Sequence, residues 1–346
     1  MKKFLAIVRD FIQLFAVQTT LLNTVGNDLS PEMKTYYDME LIEYAQANLV
    51  HDQFGQKRPI PQGSGKTIEF RTFTPLEKAM TPLTEGVTPS GNKLDVTTIT
   101  ATVAQYGDFI TQSDVLELTA LDNTILEATK LLGRQAGLTL DTVTRNVLNS
   151  GTNVMFAPKL ADGPGSAETE VIARTGLNAT AVLTVDLVEQ IVTELRAQDA
   201  PTIDGDYVCI LHPYAAYDLM RDPDWRKPHE YVDTDNIYTG ELGKIGGCRF
   251  VASTQAKIWR GDGCPSGLSV FSCLFMGDGA YGVTEVEGGG LQTIVKQKGS
   301  AGTADPLDQR SSVGWKAIKT AEILIPTYLI RLECCSSRYS ATAQAN

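Results

Sequence analysis

Histidine and paired cysteine are both scarce in this chain, and each shortage removes a class of chemistry. The 346 residues include three histidines, three tryptophans and six cysteines. The histidines stand at 51, 212 and 229, in no spacing that gathers a metal ion. The cysteines stand at 209, 248, 264, 273, 334 and 335, and no two have CxxC spacing, which leaves a zinc ribbon or a dithiol redox motif unsupported. Adjacent Cys334 and Cys335 do not suggest a disulfide framework, so all six read as reduced and structural, in a cytosolic setting. No GxSxG element occurs. Gly288-Gly289-Gly290 precedes a strand pattern rather than a helix, so it is no dinucleotide fingerprint. Gly63-Ser64-Gly65-Lys66-Thr67 lacks the glycine a phosphate loop needs five residues before Gly65, where Ile60 stands. The pairs Asp222/Asp224 and Asp233/Asp235 lack the glycine and glutamate of a helix-loop-helix Ca²⁺ site and read as solvated acidic turns. Basic charge is short as well. Thirty Lys and Arg against 41 Asp and Glu give a net charge of −11, which argues against specific duplex-DNA binding by the chain as a whole. There is no transmembrane span and no internal repeat.

What is present is a globular composition, 42% hydrophobic and 21% charged, long enough for one large or two ordinary domains. Met1-Lys2-Lys3 followed by Phe4 and Leu5 resembles the start of a signal peptide, but Arg9-Asp10 interrupts the apolar run. Phe4, Ile7-Val8, Phe11-Ile12 and Leu14-Phe15 recur instead at helical spacing. Packing on another protein surface is preferred over binding a membrane surface. Ser30 as N-cap and Pro31 at the first helical position start a second amphipathic helix through Tyr36, Leu41 and Tyr44. From Thr67 to Phe73 and from Val96 to Tyr106 the residues alternate in strand fashion around a tip rich in Pro and Gly. This is a long two-stranded hairpin whose faces are largely Thr and charge. It buries little alone, and a neighbouring subunit is its natural support.

Ser113-Asp114 caps a short helix over Val115 to Leu121, and Asp122-Asn123 starts a long one. Its stripe runs Leu121, Ile125, Ala128, Leu132, Ala136, Thr139, Val143, Val147, and Asn149-Ser150-Gly151 ends it. A helix of this length with one apolar stripe is a spine against which a sheet can lie. Thr184 to Asp186 opens a further helix. Tyr207 to Leu211 is a short buried strand that stops at His212-Pro213, since proline cannot continue a ladder but fits the first turn of a helix. Tyr214, Tyr217, Leu219 and Met220 are the apolar positions of that helix, and His212 is read as a cap rather than a ligand or base. Arg249 to Ala252, Ser269 to Met276 and Gln292 to Lys296 are strands. Gly314 to Lys319 and Glu322 to Leu332 form a closing strand pair or one bent strand, and the tail from Ser336 is read as frayed.

In this order the parts resemble tailed-bacteriophage major capsid proteins of the Hong Kong 97 type, most of all the branch of the coliphage N4 major capsid protein. The resemblance rests on five blocks: LSPEMKTYYDMELIEYAQANLVHDQFGQ; GKTIEFRTFTPL with PLTEGVTP; ILHPYAAYDLMRDPDW; GELGKIGGCRFVAST; and PLDQRSSVGWKAIKTAEILIPTYLIRLE. It implies an α+β capsid fold in parts: an N-terminal arm (1–54), an extended loop (55–112), a peripheral domain with the spine helix (113–180 and 301–335), an axial domain (181–300) and a flexible tail (336–346). Lys66, Phe70, Arg71, Phe73, Glu85 and Lys93 would then meet the neighbouring subunit, while Ile210, His212, Pro213, Tyr217 and Trp225 form the axial core. The implied role is structural and non-enzymatic, with no cofactor and no metal. Copies would form pentamers and hexamers in an icosahedral shell around double-stranded DNA, touching it loosely. The setting would be a Caudoviricetes virion assembled in the host bacterial cytoplasm. Portal, scaffolding or decoration proteins are candidate further partners, and no membrane is involved. The competing readings are an encapsulin-like nanocompartment shell and a metal-dependent hydrolase using the Asp222 to Asp235 loop.

Overall fold

The computed structural model describes residue 41 and residues 49–346, except 62, 64, 74, 75, 77, 81, 84, 87, 89, 90, 120–123, 162, 163, 226–240, 262, 286–288 and 301–304. The expected helix over the first sixteen residues, most of the helix from Ser30 and the Asp233/Asp235 pair lie outside the described residues. In chain order the elements are β1 Gln56–Lys57, β2 Thr67–Phe73, β3 Val96–Thr102, β4 Ala104–Ser113, α1 Asp114–Thr119, α2 Thr124–Leu148, β5 Val154–Phe156, β6 Lys159–Leu160, β7 Glu168–Thr169, α3 Val185–Ala197, β8 Tyr207–Leu211 and α4 Pro213–Leu219. There follow β9 Glu241–Ile245, β10 Cys248–Ala252, β11 Ile258–Trp259, β12 Val270–Met276, β13 Tyr281–Glu285, β14 Gln292–Lys296, β15 Arg310–Ile323 and β16 Leu329–Cys334. The chain divides into a smaller unit (1–44, 107–134, 292–316) and a larger one (45–106, 135–291, 317–346).

The larger unit is built on a mixed sheet in the order β5-β16-β12-β8-β10-β9, with β11 paired to β12. All five residues of β8 and all seven of β12 are buried, as expected of strands covered on both faces. The period of two sorts their side chains between two clusters. Tyr207, Cys209, Leu211, Phe271, Cys273 and Phe275 join α3's Leu187, Val188, Ile191, Val192 and Leu195, while Val208, Ile210, Leu274 and Met276 join Phe54, Leu148, Tyr281 and Val283. The α3 stripe repeats every three to four residues, and Thr184 caps it by accepting from the Leu187 N–H at 3.4 Å. β9 returns to β10 through Gly246-Gly247, whose φ values of 62° and 85° suit a two-residue hairpin turn that other residues enter with strain. In the same unit β13 pairs with the second half of β15, from Tyr281↔Ile323 to Glu285↔Lys319.

In the smaller unit, β14 pairs with the first half of β15 in antiparallel register, Gln292↔Lys316 to Lys296↔Ser312. The Ser113 hydroxyl accepts from the Leu116 N–H at 3.3 Å, the cap expected for α1. Thr124, the first residue of α2, exchanges hydrogen bonds of 2.9 and 3.0 Å with Gln112.

Four readings of the sequence are corrected. The two closing strands are not partners: β15 pairs with β13 and β14, whereas β16 lies between β5 and β12 in the other sheet. Pro326–Tyr328, a single 3₁₀ turn, separates them. This sheet draws on both stretches that the sequence assigned to separate domains. In α2 the buried row is Ala128, Leu132, Ala136, Leu140, Thr144 and Leu148, so its C-terminal half is turned one residue from the expected Thr139, Val143 and Val147. In α4 the buried residues are Ala215, Ala216, Asp218 and Leu219, while Tyr214 and Met220 are exposed. The tail is not frayed. Cys335, Ser336, Ser340 and Ala343 are buried, Tyr339 stacks on Tyr214 with centroids 4.3 Å apart, and Asn346 Nδ2 donates to Ala256 O at 2.9 Å. The Ser337 N–H and hydroxyl both donate to the Asp218 carboxylate, which is why a polar Asp218 can be buried in α4.

Candidate functional site

The feature with the least internal support is the hairpin, and its root and its tip differ in character. β2 and β3 pair over seven residues, from Thr67↔Thr102 to Phe73↔Val96. Alternation places Ile68, Phe70, Ile99 and Ala101 on one face, and these pack with Leu324 and Ile325. Phe70 is 2% exposed, and its ring lies where a Cβ on Gly282 would stand only 2.9 Å away, so β13 needs a glycine there. The Arg58 guanidinium covers the same ring at 5.9 Å. Phe70, expected to meet a neighbouring subunit, is thus spent within its own chain. Lys66, Arg71, Glu85 and Lys93 are exposed, and of Phe73 only the strand position is described.

On the other side of the root, the turn after Val50 is held by a buried ionic network. His51 donates its N–H to Asp141 Oδ1 at 2.8 Å, and its Nδ1 lies 2.7 Å from Asp141 Oδ2. Thr144 Oγ1 donates to Asp52 Oδ1 at 2.6 Å, and Lys319 Nζ donates to Asp52 Oδ2 and, at 3.3 Å, to Leu140 O. The Tyr281 hydroxyl donates to His51 O, and burial raises its pKa well above the ordinary tyrosine range. Four residues after Asp52, Gln56 and Lys57 pair in parallel with Gly282 and Val283. No sequence motif announced this cluster. Its signal is only two polar residues at i, i+3 of α2, Thr144 on an otherwise apolar row and Asp141 beside that row.

Towards the tip the character changes. Every described side chain from Leu76 to Thr98 is exposed, among them Leu76 at 60%, Met80 at 81%, Leu83 at 78% and Leu94 at 67%. Four large apolar side chains on one loop are the kind of exposed set that protein–protein contacts cover. The smaller unit has a second such set, with Phe109, Val115, Leu131 and Leu307 all exposed.

The residues expected in the axial core sit in or beside the larger sheet. Ile210, His212 and Trp225 are buried, and Pro213 and Tyr217 are half-buried. His212 Nδ1 accepts from the Tyr214 N–H at 3.1 Å, so the ring caps α4 in its neutral form. Burial lowers its pKa from the ordinary 6.5 to about 4. The unfolded chain therefore takes up a proton over that range while the folded chain does not, so the contribution is complete above about 6.5 and is lost as pH falls towards about 4. His212→Asn keeps a capping acceptor without the titration. Its urea midpoint is expected to fall less than that of the parent between pH 7 and pH 4.5.

The Asp222 carboxylate accepts from the Val185 N–H and from the Asp224 N–H, both at 3.0 Å, which gives it a capping role. Among the described residues no group of three His, Cys, Asp or Glu is placed to hold a metal ion. Five of the six cysteines are buried, and burial raises the Cys209 and Cys248 thiols well above their ordinary range.

The fold is similar to that of several solved phage capsids. The capsid of Ralstonia phage GP4 matches with a TM-score of 0.65 at 15% identity, over 83% of this chain and 88% of that one. The capsid of cyanophage P-SCSP1u matches at 0.61 and 15%, over 82% and 87%, and that of cyanophage Pam1 at 0.60 and 14%, over 80% and 87%. No curated protein matches the chain in sequence. The family profile described as phage capsid protein does match, over residues 96–322. The chain accordingly belongs to the phage capsid protein family and is a structural protein of the capsid shell.

Proposed function

We propose that copies of this chain form pentamers and hexamers that close into an icosahedral shell around packaged double-stranded DNA. The plan is that of the Hong Kong 97 type, in the branch of the coliphage N4 protein. The observation that carries this reading is the contrast along the hairpin: a root fixed by Phe70 and the Asp52–Lys319 network, and a tip that leaves Leu76, Met80, Leu83 and Leu94 in water. A monomer gains nothing from that arrangement, whereas a shell repeats the same apolar contact at each interface and leaves no free edge. Residues 55–112 then act as the extended loop, with Lys66, Arg71, Glu85 and Lys93 as the polar rim of the contact. Residues 113–180 with 301–335 supply the peripheral domain and 181–300 the axial domain, with β5 and β16 contributed to the sheet of the latter. Residues 1–54 are the arm.

A net charge of −11 limits adhesion to packaged DNA, so contact with it is loose and directed at the backbone. The role needs no catalytic residue. Its place is the virion, after assembly in the host cytoplasm, and portal, scaffolding and decoration proteins are the further partners such a shell takes. Sedimentation and electron microscopy of the expressed protein test the reading. Oligomers or closed particles are expected, and a strictly monomeric chain at all concentrations and salts would overturn it.

A further inference from the structure

The larger unit carries a groove that its own described residues leave open. It has a volume of about 560 Å³ and runs between β5, the edge strand of the larger sheet, β7 and the start of α3. Its apolar lining includes Val154, Phe156, Ile172 and Leu187, and Ile172 is 85% exposed, an unusual position for an isoleucine. On β5, Asn153 O and Ala157 N bond to Arg331 N and Glu333 O of β16. Alternation along a strand therefore turns the N–H and C=O groups of Val154 and Phe156 to the other side, along the groove. The rim is acidic: Glu168 and Glu170 line the groove and are exposed.

A fitting occupant is apolar, supplies a few large side chains, and carries positive charge beside them. One segment of this chain answers that description. Residues 2–15 bring Phe4, Ile7, Val8, Phe11 and Ile12 together with Lys2, Lys3 and Arg9 against a single Asp10. Elsewhere the acidic residues outnumber the basic ones, and the exposed apolar hairpin tip has Glu85 and Asp95 beside its Lys78 and Lys93. Residues 16–40, which link the segment to the described chain, number 25 and span up to about 85 Å when extended. In any assembly of one chain type, segments and grooves are present in equal number.

We propose that residues 2–15 dock in the groove between β5, β7 and α3, their apolar side chains covering Ile172 and Phe156 and their lysines facing Glu168 and Glu170. The groove thereby becomes an anchoring site for the N-terminal arm. The test places the photo-crosslinking residue p-benzoylphenylalanine at Ile172 in the full-length chain, irradiates it, and maps the adduct by peptide mass spectrometry. A cross-link to a peptide within residues 1–16 is expected. Adducts only to another segment, or no adduct, would overturn the proposal, and a map dominated by the hairpin tip would assign the groove to that loop instead. Glu168→Lys with Glu170→Lys should lower the yield several-fold, and adding Lys2→Glu with Lys3→Glu should restore it. An unchanged yield in the first variant counts against the charge pairing and so against this occupant.

Discussion

Removing residues 75–94 is expected to leave a folded subunit that no longer forms closed particles. The deletion can be made without disturbing the root. Phe73 and Val96 are the last paired residues of the ribbon, so Thr74 and Asp95 would become the two central residues of a tight turn, and Asn-Gly in their place suits that turn. What is lost is the exposed apolar set, Leu76, Met80, Leu83 and Leu94. Each such side chain is worth about 1.5–3 kcal/mol when fully buried, and the subunit does not bury them itself. The thermal midpoint of the isolated subunit should therefore shift little. Assembly should fall steeply, because symmetry removes the same contact at every interface at once. Velocity sedimentation and electron microscopy of parent and deletion give the readout. Normal particles from the deleted chain would show that the tip is dispensable and would sink the hairpin as the inter-subunit element. Met80→Glu with Leu83→Glu is the milder form of the same experiment, since it keeps the loop length and removes only the apolar character.

The parts of this fold that could be read in the sequence are those in which burial and chemistry agree. β8 and β12 are continuous apolar runs because both faces are covered, and such runs announce themselves. The cap at His212 was visible because Pro213 fixes where a helix can begin. The alternation of β2 and β3 was visible for the same kind of reason, although not that Phe70 would turn inward onto Gly282. What escaped was whatever depends on polar groups satisfying one another. The buried row of α2 is legible only in its first half, because Thr144 and the neighbouring Asp141 look like solvent-facing positions until Asp52 and His51 are known to meet them. The tail read as loose because it is made of Ser, Thr, Ala, Gln and Asn. Its docking rests on Ser337 with Asp218, on Asn346 with Ala256 and on Tyr339 against Tyr214, pairings that no local pattern encodes. The partition of β15 and β16 between two sheets is a tertiary fact of the same kind, since the two strands lie a few residues apart and no local pattern says which sheet each joins.

Lys319→Met is expected to be among the most destabilising single substitutions in the chain. Lys319 is 2% exposed, and the Asp52 carboxylate it neutralises is 8% exposed. Methionine fills much of the same space but, among the described residues, leaves Asp52 with the Thr144 hydroxyl as its side-chain donor and an uncompensated charge in a buried site. Breaking a buried pair from one side costs about 3–5 kcal/mol, a large part of the 5–15 kcal/mol by which a typical domain is stable. Asp52→Ala strands the ammonium instead and should cost a similar amount. The double variant is the informative one. With both charges gone neither is left unpaired, so its loss should be clearly smaller than the sum of the two singles, and the difference is the coupling energy. Denaturant midpoints of the unassembled subunit measure all three. Additive losses would mean that the two residues do not act as a pair. The position of the pair ties this to assembly: Asp52 lies four residues before β1, and Lys319 lies on the strand that pairs with β13, where Phe70 is seated. A subunit carrying Lys319→Met that remains folded should therefore hold its hairpin less firmly. Limited proteolysis should cut the chain within residues 55–66 faster than in the parent, and particle yield should drop although the apolar tip is intact. Unchanged cleavage in a destabilised subunit would separate the network's contribution to folding from any part in orienting the hairpin.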